Sequence, residues 1–336
     1  MTSTFFCSHQ SRLASESLIG SANNVQAYIL IECPPPWESE AFDSKYIPSD
    51  LKILVNECKT AKLPIKFLLI ANNNSEKSGQ TKLLIYHRKA GLSNGYNKRE
   101  FNLKNIEEVA EIVRAWFWGK NISNEVDITV SRDILVCTHG SHDKCCARYG
   151  NPFYYHAAAT ITDLNLKNVR IWKSTHFGGH RFAPTMIDLP EGRYYGVLEQ
   201  NSFKSILTRT GNINLLKDVY RGWSIFPSSL QILERELLLR YGWDWFNYKV
   251  GGRIIEQSSD QSMILAELNF ENTGGDQFTY QADILKDETL TVSLKNSCHA
   301  MLESVIFQYS IYNLKQVGNR NNLLEAANNS LLTTLI

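Results

Sequence analysis

The chain has 336 residues, 43% hydrophobic and 21% charged, and its 35 basic and 34 acidic residues leave a formal net charge of +1. That balance provides no broad electrostatic footprint for nucleic acid or an anionic membrane surface, and no window approaches the ~20 consecutive apolar residues of a membrane span. The N-terminus lacks the pattern of a secretion signal and the seven cysteines are odd in number and unevenly spaced, so a cytoplasmic globular protein with reduced thiols is expected.

Length alone suggests two or three domains. "VQAYILIEC" (25–33) has the pattern of a buried strand, closed by the prolines of "PPPW". A helix follows, capped by Ser49, with Leu51, Leu54, Val55 and Cys58 on one face. "IKFLLIA" (65–71) and "TKLLIYH" (81–87) read as strands, "LSNGYN" (92–97) as a turn, and Ile106 to about Trp118 as a second helix stopped by Gly119. The order is β, α, β, β, α.

The same order recurs. "DITVSRDILVC" (127–137) is a strand that again ends in a cysteine, a helix runs from about Lys144 to Thr162, and "VRIWKS" (169–174), "TMIDL" (185–189) and "RYYGVL" (193–198) read as strands. The predicted fold class is α/β: two copies of one βαββα unit over residues 1–125 and 126–220, then a smaller α+β C-terminal extension over 221–336. The extension has a serine-capped helix at 227–242, strands at 261–270 and 290–295, and a loosely held tail from Val317 onward. One unbroken α/β domain is the alternative. The first unit, with Cys33 but no companion ligands, reads as a scaffold or a docking surface, the latter if Trp37 is exposed.

Between positions 137 and 180 lie Cys137, His139, His142, Cys145, Cys146, His156, His176 and His180, five of the eight histidines and three of the seven cysteines. Each alone has an ordinary structural reading. Together, in loops beyond strand ends where ligands of open α/β sheets gather, they point to a metal or prosthetic group that Gly178 and Gly179 would let the backbone approach.

Structural zinc usually takes cysteines two to four residues apart, whereas eight residues separate Cys137 from Cys146. A Cys-x-x-Cys dithiol is absent, and adjacent Cys145 and Cys146 are poorly placed to cycle through a disulfide. A Cys-His hydrolase would have its nucleophile among surplus ligands. "CTHG" echoes half of a Rieske site whose other half is missing. No nucleotide-binding glycine loop accompanies the cluster, and no pair of carboxylates stands out for glycoside hydrolysis.

The pairing of Cys-x8-Cys (Cys137, Cys146) with His-x-Gly-Gly-His (His176, His180), within "CTHGSHDKCCARYG" and "WKSTHFGGHRFAPTMIDLPEGRYYG", resembles the sucrase/ferredoxin-like family. These are thioredoxin-like [2Fe-2S] ferredoxins with two-cysteine, two-histidine ligation. The match is densest over 126–200, while "YRGW" (220–223) and "KNSC" (295–298) are similar to the C-terminal part of longer members.

The resemblance implies two thioredoxin-like units, a cis peptide before Pro184, and Cys137, Cys146, His176 and His180 as ligands, with Cys145 and His139 as alternates. It further implies a non-enzymatic one-electron carrier served by protein redox partners, a reductase and an acceptor. Two neutral imidazoles in place of thiolates predict a potential above the roughly −400 mV of plant-type ferredoxins, falling as pH rises if reduction takes up a proton. The alternatives are a structural zinc protein and a redox- or iron-sensing module. Arg181 reads as a charge that stabilises the reduced cluster or as a solvated one. The sequence does not place Cys298 relative to the cluster.

Overall fold

A computed structural model describes residues 5–73, 75, 79–88, 90–123, 125–127 and 132–320. The short helix α1 (Cys7–Leu13) precedes β1 (Ala27–Glu32), α2 (Ser49–Thr60), β2 (Ile65–Ala71), β3 (Thr81–Arg88), β4 (Tyr96–Leu103) and α3 (Val109–Phe117). Then come β5 (Arg132–Cys137), α4 (Lys144–Asp163), β6 (Val169–Ser174), β7 (Met186–Leu189), β8 (Arg193–Tyr195), α5 (Gln200–Thr208), α6 (Leu216–Val219) and β9 (Tyr220–Trp223). The C-terminal part is α7 (Ser228–Tyr241) with β10 (Lys249–Gln257), β11 (Met263–Glu271), β12 (Gln277–Leu294) and β13 (Ser304–Arg320).

The first nine strands form one sheet in the order β4-β3-β1-β2-β6-β5-β7-β8-β9. Within it the α/β repeat is plain. β1 runs parallel to β2, with β3 antiparallel on its other side and β4 beyond; β5, β6, β7 and β8 repeat that arrangement. The apolar runs explain it: both parallel strands of a crossover unit are covered on both faces, so Ile29 and Ile31 pack under α2 and α3 while Tyr28 and Leu30 face the other way. The C-terminal strands form a separate antiparallel sheet, β10-β11-β12-β13.

Several expectations are adjusted. β4 is expected from the sequence only as a turn at its start, because Lys98, Arg99 and Glu100 break its apolar pattern; it forms one edge of the sheet. Ser49 is the first helical residue, not the cap; Pro48 and, before α7, Pro227 hold the cap positions with no side-chain hydrogen bond. Residues 317–320 of the expected loose tail belong to β13, and 321–336 lie outside the described residues, as do 128–131 of the strand expected over 127–137. Among the described residues no helix is long and apolar enough to cross a membrane.

The two halves of the large sheet meet over only two residue pairs, Ile70 with Ser174 and Ala71 with Lys173. Their inner faces also touch. The Tyr28 and Tyr194 hydroxyls are 3.1 Å apart, and fully buried Asp133 on β5 accepts from Lys98 Nζ (2.6 Å), Arg170 Nε (2.8 Å), Trp172 Nε1 (2.8 Å) and the Tyr86 hydroxyl. Arg170 reaches on to Glu100 with two bonds of 2.9 and 2.8 Å.

Burial alone would raise both carboxyls, but Arg170, with Lys98 and for Glu100 also Lys82, holds Asp133 below its ordinary value and Glu100 at about 2. A depressed folded pKa stabilises fully above the unfolded value of 4.5 and is lost as pH falls toward 2. The urea midpoint is therefore expected to hold from pH 7 to about 5 and drop below it, with a smaller acid limb in Arg170→Met; an unchanged limb in that variant would contradict the network's role.

A second buried ion pair joins the large sheet to the C-terminal part. Arg193 on β8 donates to Glu234 Oε1 on α7 (2.8 Å) and to the Tyr220 hydroxyl (2.7 Å), while Tyr220 and Trp245 Nε1 donate to Glu234 (2.9 and 2.7 Å).

Candidate metal centre

Cys137 is the last residue of β5, and the crossover through α4 to parallel β6 returns the chain beside it. Asp143 caps α4 by accepting from the Cys145 N–H (2.8 Å), which sets Cys145 and Cys146 in the first turn. Further along, Gly150 lies so close to the Cys137 carbonyl that a Cβ there would collide with it. The helix thus packs directly on the strand end. His176 follows β6 in a loop tied to the first half by Thr175, whose N–H donates to the Leu69 carbonyl (2.9 Å) and whose Oγ1 accepts from the Leu69 N–H (3.0 Å). Gly178 and Gly179 turn the loop with left-handed φ of +100° and +78°.

Cys137, Cys146 and His176 place ligand atoms within 4.8 Å of one another. His176 Nδ1 is 3.7 Å from Cys137 Sγ and 3.6 Å from Cys146 Sγ. The Gly178 N–H donates to His176 Nε2 (3.1 Å), so the ring proton sits on Nδ1, facing the sulfurs; a metal ion there takes the proton's place. Burial first, then neighbouring histidines and cations, push His176 down to about 2, which keeps the ring neutral.

Burial opposes charge on Cys137, yet the Cys146 thiol, the His139 and Phe177 amides and the Arg221 charge hold it below the usual thiol range. Cys146, as donor in that pair, is pushed up. One thiolate and a neutral imidazole are the metal-ready forms.

Arg221 was not singled out as a site residue from the sequence. Its guanidinium is 1% exposed, donates to the carbonyls of Gly178 (2.9 Å) and Ser21 (2.7 Å) and to Ser21 Oγ (3.0 Å), and makes no ion pair among the described residues. A side chain on Gly179 would strike it. A buried positive charge beside the two cysteines favours an anionic occupant. Arg181, by contrast, is paired with Glu16 (2.6 Å).

The remaining histidines divide. His139 has both nitrogens engaged, with the Glu38 carbonyl (2.7 Å) and the His176 N–H (3.2 Å). His142 stacks on His176, ring centroids 4.1 Å apart. His156 lies on α4 beside Thr160. His180 has its ring centroid 5.2 Å from that of His176, but its Nδ1 faces Asp143 Oδ2 (3.5 Å) and Cys7 Sγ (3.3 Å).

Those contacts belong to a second group, absent from the sequence reading: Cys7, Asp143, Cys145 and Cys298, also within 4.8 Å of one another. Cys145 Sγ is 3.6 Å from Cys7 Sγ and 3.2 Å from Cys298 Sγ. Hydrogen bonding from Cys7, together with Ser8 and Cys298, outweighs burial and holds Cys145 at about 6, while burial leads in pushing Cys298 up to about 12. Cys145 thus faces away from Cys146, and Cys298 belongs with Cys145 in the second group.

The sequence pattern of the sucrase/ferredoxin-like family matches residues 18–222, more than half of the chain. The chain belongs to the sucrase/ferredoxin-like family. Its match spans the whole nine-stranded sheet but for its last residue, and both Cys/His loops. Cys7 and Cys298 of this sucrase/ferredoxin-like protein lie outside it. No curated protein and no solved structure matches the chain. The peptide before Pro184 is cis, as the resemblance implied. Trp37, 7% exposed and edge-on to His139, is buried and does not support docking by the first half.

Proposed function

We propose that this sucrase/ferredoxin-like protein is a one-electron carrier whose [2Fe-2S] cluster is held by Cys137, Cys146, His176 and His180. The observation that carries the reading is the convergence of two thiols and His176 Nδ1 beside Arg221, a buried cation that no carboxylate pairs among the described residues. The donor set fits the group: soft sulfurs, neutral imidazoles and a compensating charge. Asp143 beside His180 Nδ1 is the carboxylate-histidine arrangement that orients a ligating imidazole, leaving Nε2 for the metal. When bound, the cluster takes up and releases one electron.

The chain's own residues supply the rest. Arg221 offsets the negative charge of the thiolates, and His139 fixes the backbone of His176. His142, stacked on His176, lines a cleft of about 290 Å³ with Phe42, Lys59 and Lys66 from the first half, and protein redox partners are proposed to meet the centre there. The His176 Nδ1 distances of 3.7 and 3.6 Å to the two sulfurs also fit a single tetrahedral ion, which makes zinc the second reading. Visible absorption and metal analysis of anaerobically purified protein separate them: brown-red colour with about two irons per chain is expected, and colourless protein with zinc in this site would reject the cluster.

A further inference from the structure

We propose that Cys7, Cys145, Cys298 and Asp143 form a second metal site, distinct from the proposed cluster, that binds one zinc ion and clamps α1 and the β12–β13 connection onto α4. Three distant segments converge there: α1 supplies Cys7, the start of α4 supplies Asp143 and Cys145, and the connection between β12 and β13 supplies Cys298. Nothing in the local sequence requires three thiols from so far apart to meet.

Their spacing suits one ion. The three sulfurs are 3.6, 3.2 and 3.6 Å from one another, and tetrahedral zinc with bonds of about 2.3 Å sets sulfurs about 3.8 Å apart. Relaxation of a few tenths of an ångström completes the face. A carboxylate oxygen of Asp143, within 4.8 Å of all three, provides the fourth donor. Thiolate-rich tetrahedral sites select zinc or iron-sulfur clusters, and a single face of three sulfurs accommodates one ion rather than two.

The surroundings are those of a built site. The Ser8 hydroxyl donates to Cys145 Sγ (3.2 Å) and the Cys7 N–H to Cys298 Sγ (3.4 Å), both of which stabilise thiolates. Asp143 is itself fixed by the N–H groups of Cys145 (2.8 Å) and Cys298 (3.0 Å). Cys298 is only partly buried and gives an ion a way in. The structural consequence is direct: α1 is held against the 180–183 turn, which it also meets through Arg12 on the Ala183 carbonyl.

The test is zinc and iron analysis of anaerobically purified full-length wild type, Cys298→Ser, and the double variant Cys137→Ser, Cys146→Ser. One zinc per chain is expected in the wild type and the double variant, with at least a tenfold loss in Cys298→Ser, whereas iron is lost only in the double variant. Zinc unchanged in Cys298→Ser would overturn the proposal. Absence of zinc with two thiols missing from the wild type, meaning a disulfide, would do the same. Should Cys298→Ser fail to fold, zinc-edge X-ray absorption of the wild type decides: three sulfurs and one oxygen support the site, and two sulfurs with two nitrogens would place zinc at Cys137 and Cys146 and overturn it. A wild type that holds this zinc but no iron would reject the electron-carrier reading alone.

Discussion

Serine at Cys137 or Cys146 is expected to strip iron from the protein by more than about tenfold and abolish its visible colour, while Cys145→Ser retains both. The contrast is strong because the neighbours are adjacent in sequence. On an α-helix successive side chains point about 100° apart, and that turn sends Cys146 toward His176 (3.6 Å) and Cys145 toward Cys298 (3.2 Å). Cys33→Ser and Cys58→Ser, in the first half, leave iron unchanged. Equal iron in Cys145→Ser and Cys146→Ser, or loss in both, would contradict the partition of the thiols into two groups.

Removing Glu234 is expected to destabilise the protein by about 3–5 kcal/mol, the cost of leaving a buried charge without its partner. Glu234 is fully buried and takes every hydrogen bond that Trp245 Nε1 and the Tyr220 hydroxyl donate here, besides one from Arg193. Among the described residues, Arg193 then keeps only half-buried Glu191, 3.3 Å from its Nε, as a carboxylate partner. Because whole-protein stability is about 5–15 kcal/mol, Glu234→Ala should shift the urea midpoint more than any surface change. The double variant Arg193→Met, Glu234→Leu should recover much of the loss, since matched apolar groups often replace a buried pair at little cost. A Glu234→Ala midpoint equal to wild type would show that the pair does not hold the C-terminal part on the sheet.

Most of the large sheet was legible because its central strands are continuous apolar runs, as in "YILI", "FLLI" and "ILVC", and such runs mark strands covered on both faces. β4 escaped because Lys98, Arg99 and Glu100 follow one another in its middle, and only the structure shows that Lys98 and Glu100 turn inward to Asp133 and Arg170. α1 escaped because "CSHQSRL" carries no apolar stripe; tertiary contact, not amphipathicity, keeps it in place. Within the candidate site, Cys137 with Cys146 and His176 with His180 were visible as short-range spacings. Cys7 and Cys298 were not, because their approach to Cys145 depends on where α1 and the β12–β13 connection pack. Arg221 stood in a recognisable "YRGW", but no local pattern reveals that its cation is buried with no carboxylate paired to it among the described residues.

The central claim, an electron-carrying cluster ligated by histidine, is tested most directly by electron paramagnetic resonance of dithionite-reduced protein grown with nitrogen-15 histidine. A reduced-state [2Fe-2S] signal with couplings from two histidine nitrogens is expected, one of which disappears in His176→Ala. An iron-free, signal-free sample, or a cluster signal without histidine coupling, would contradict it.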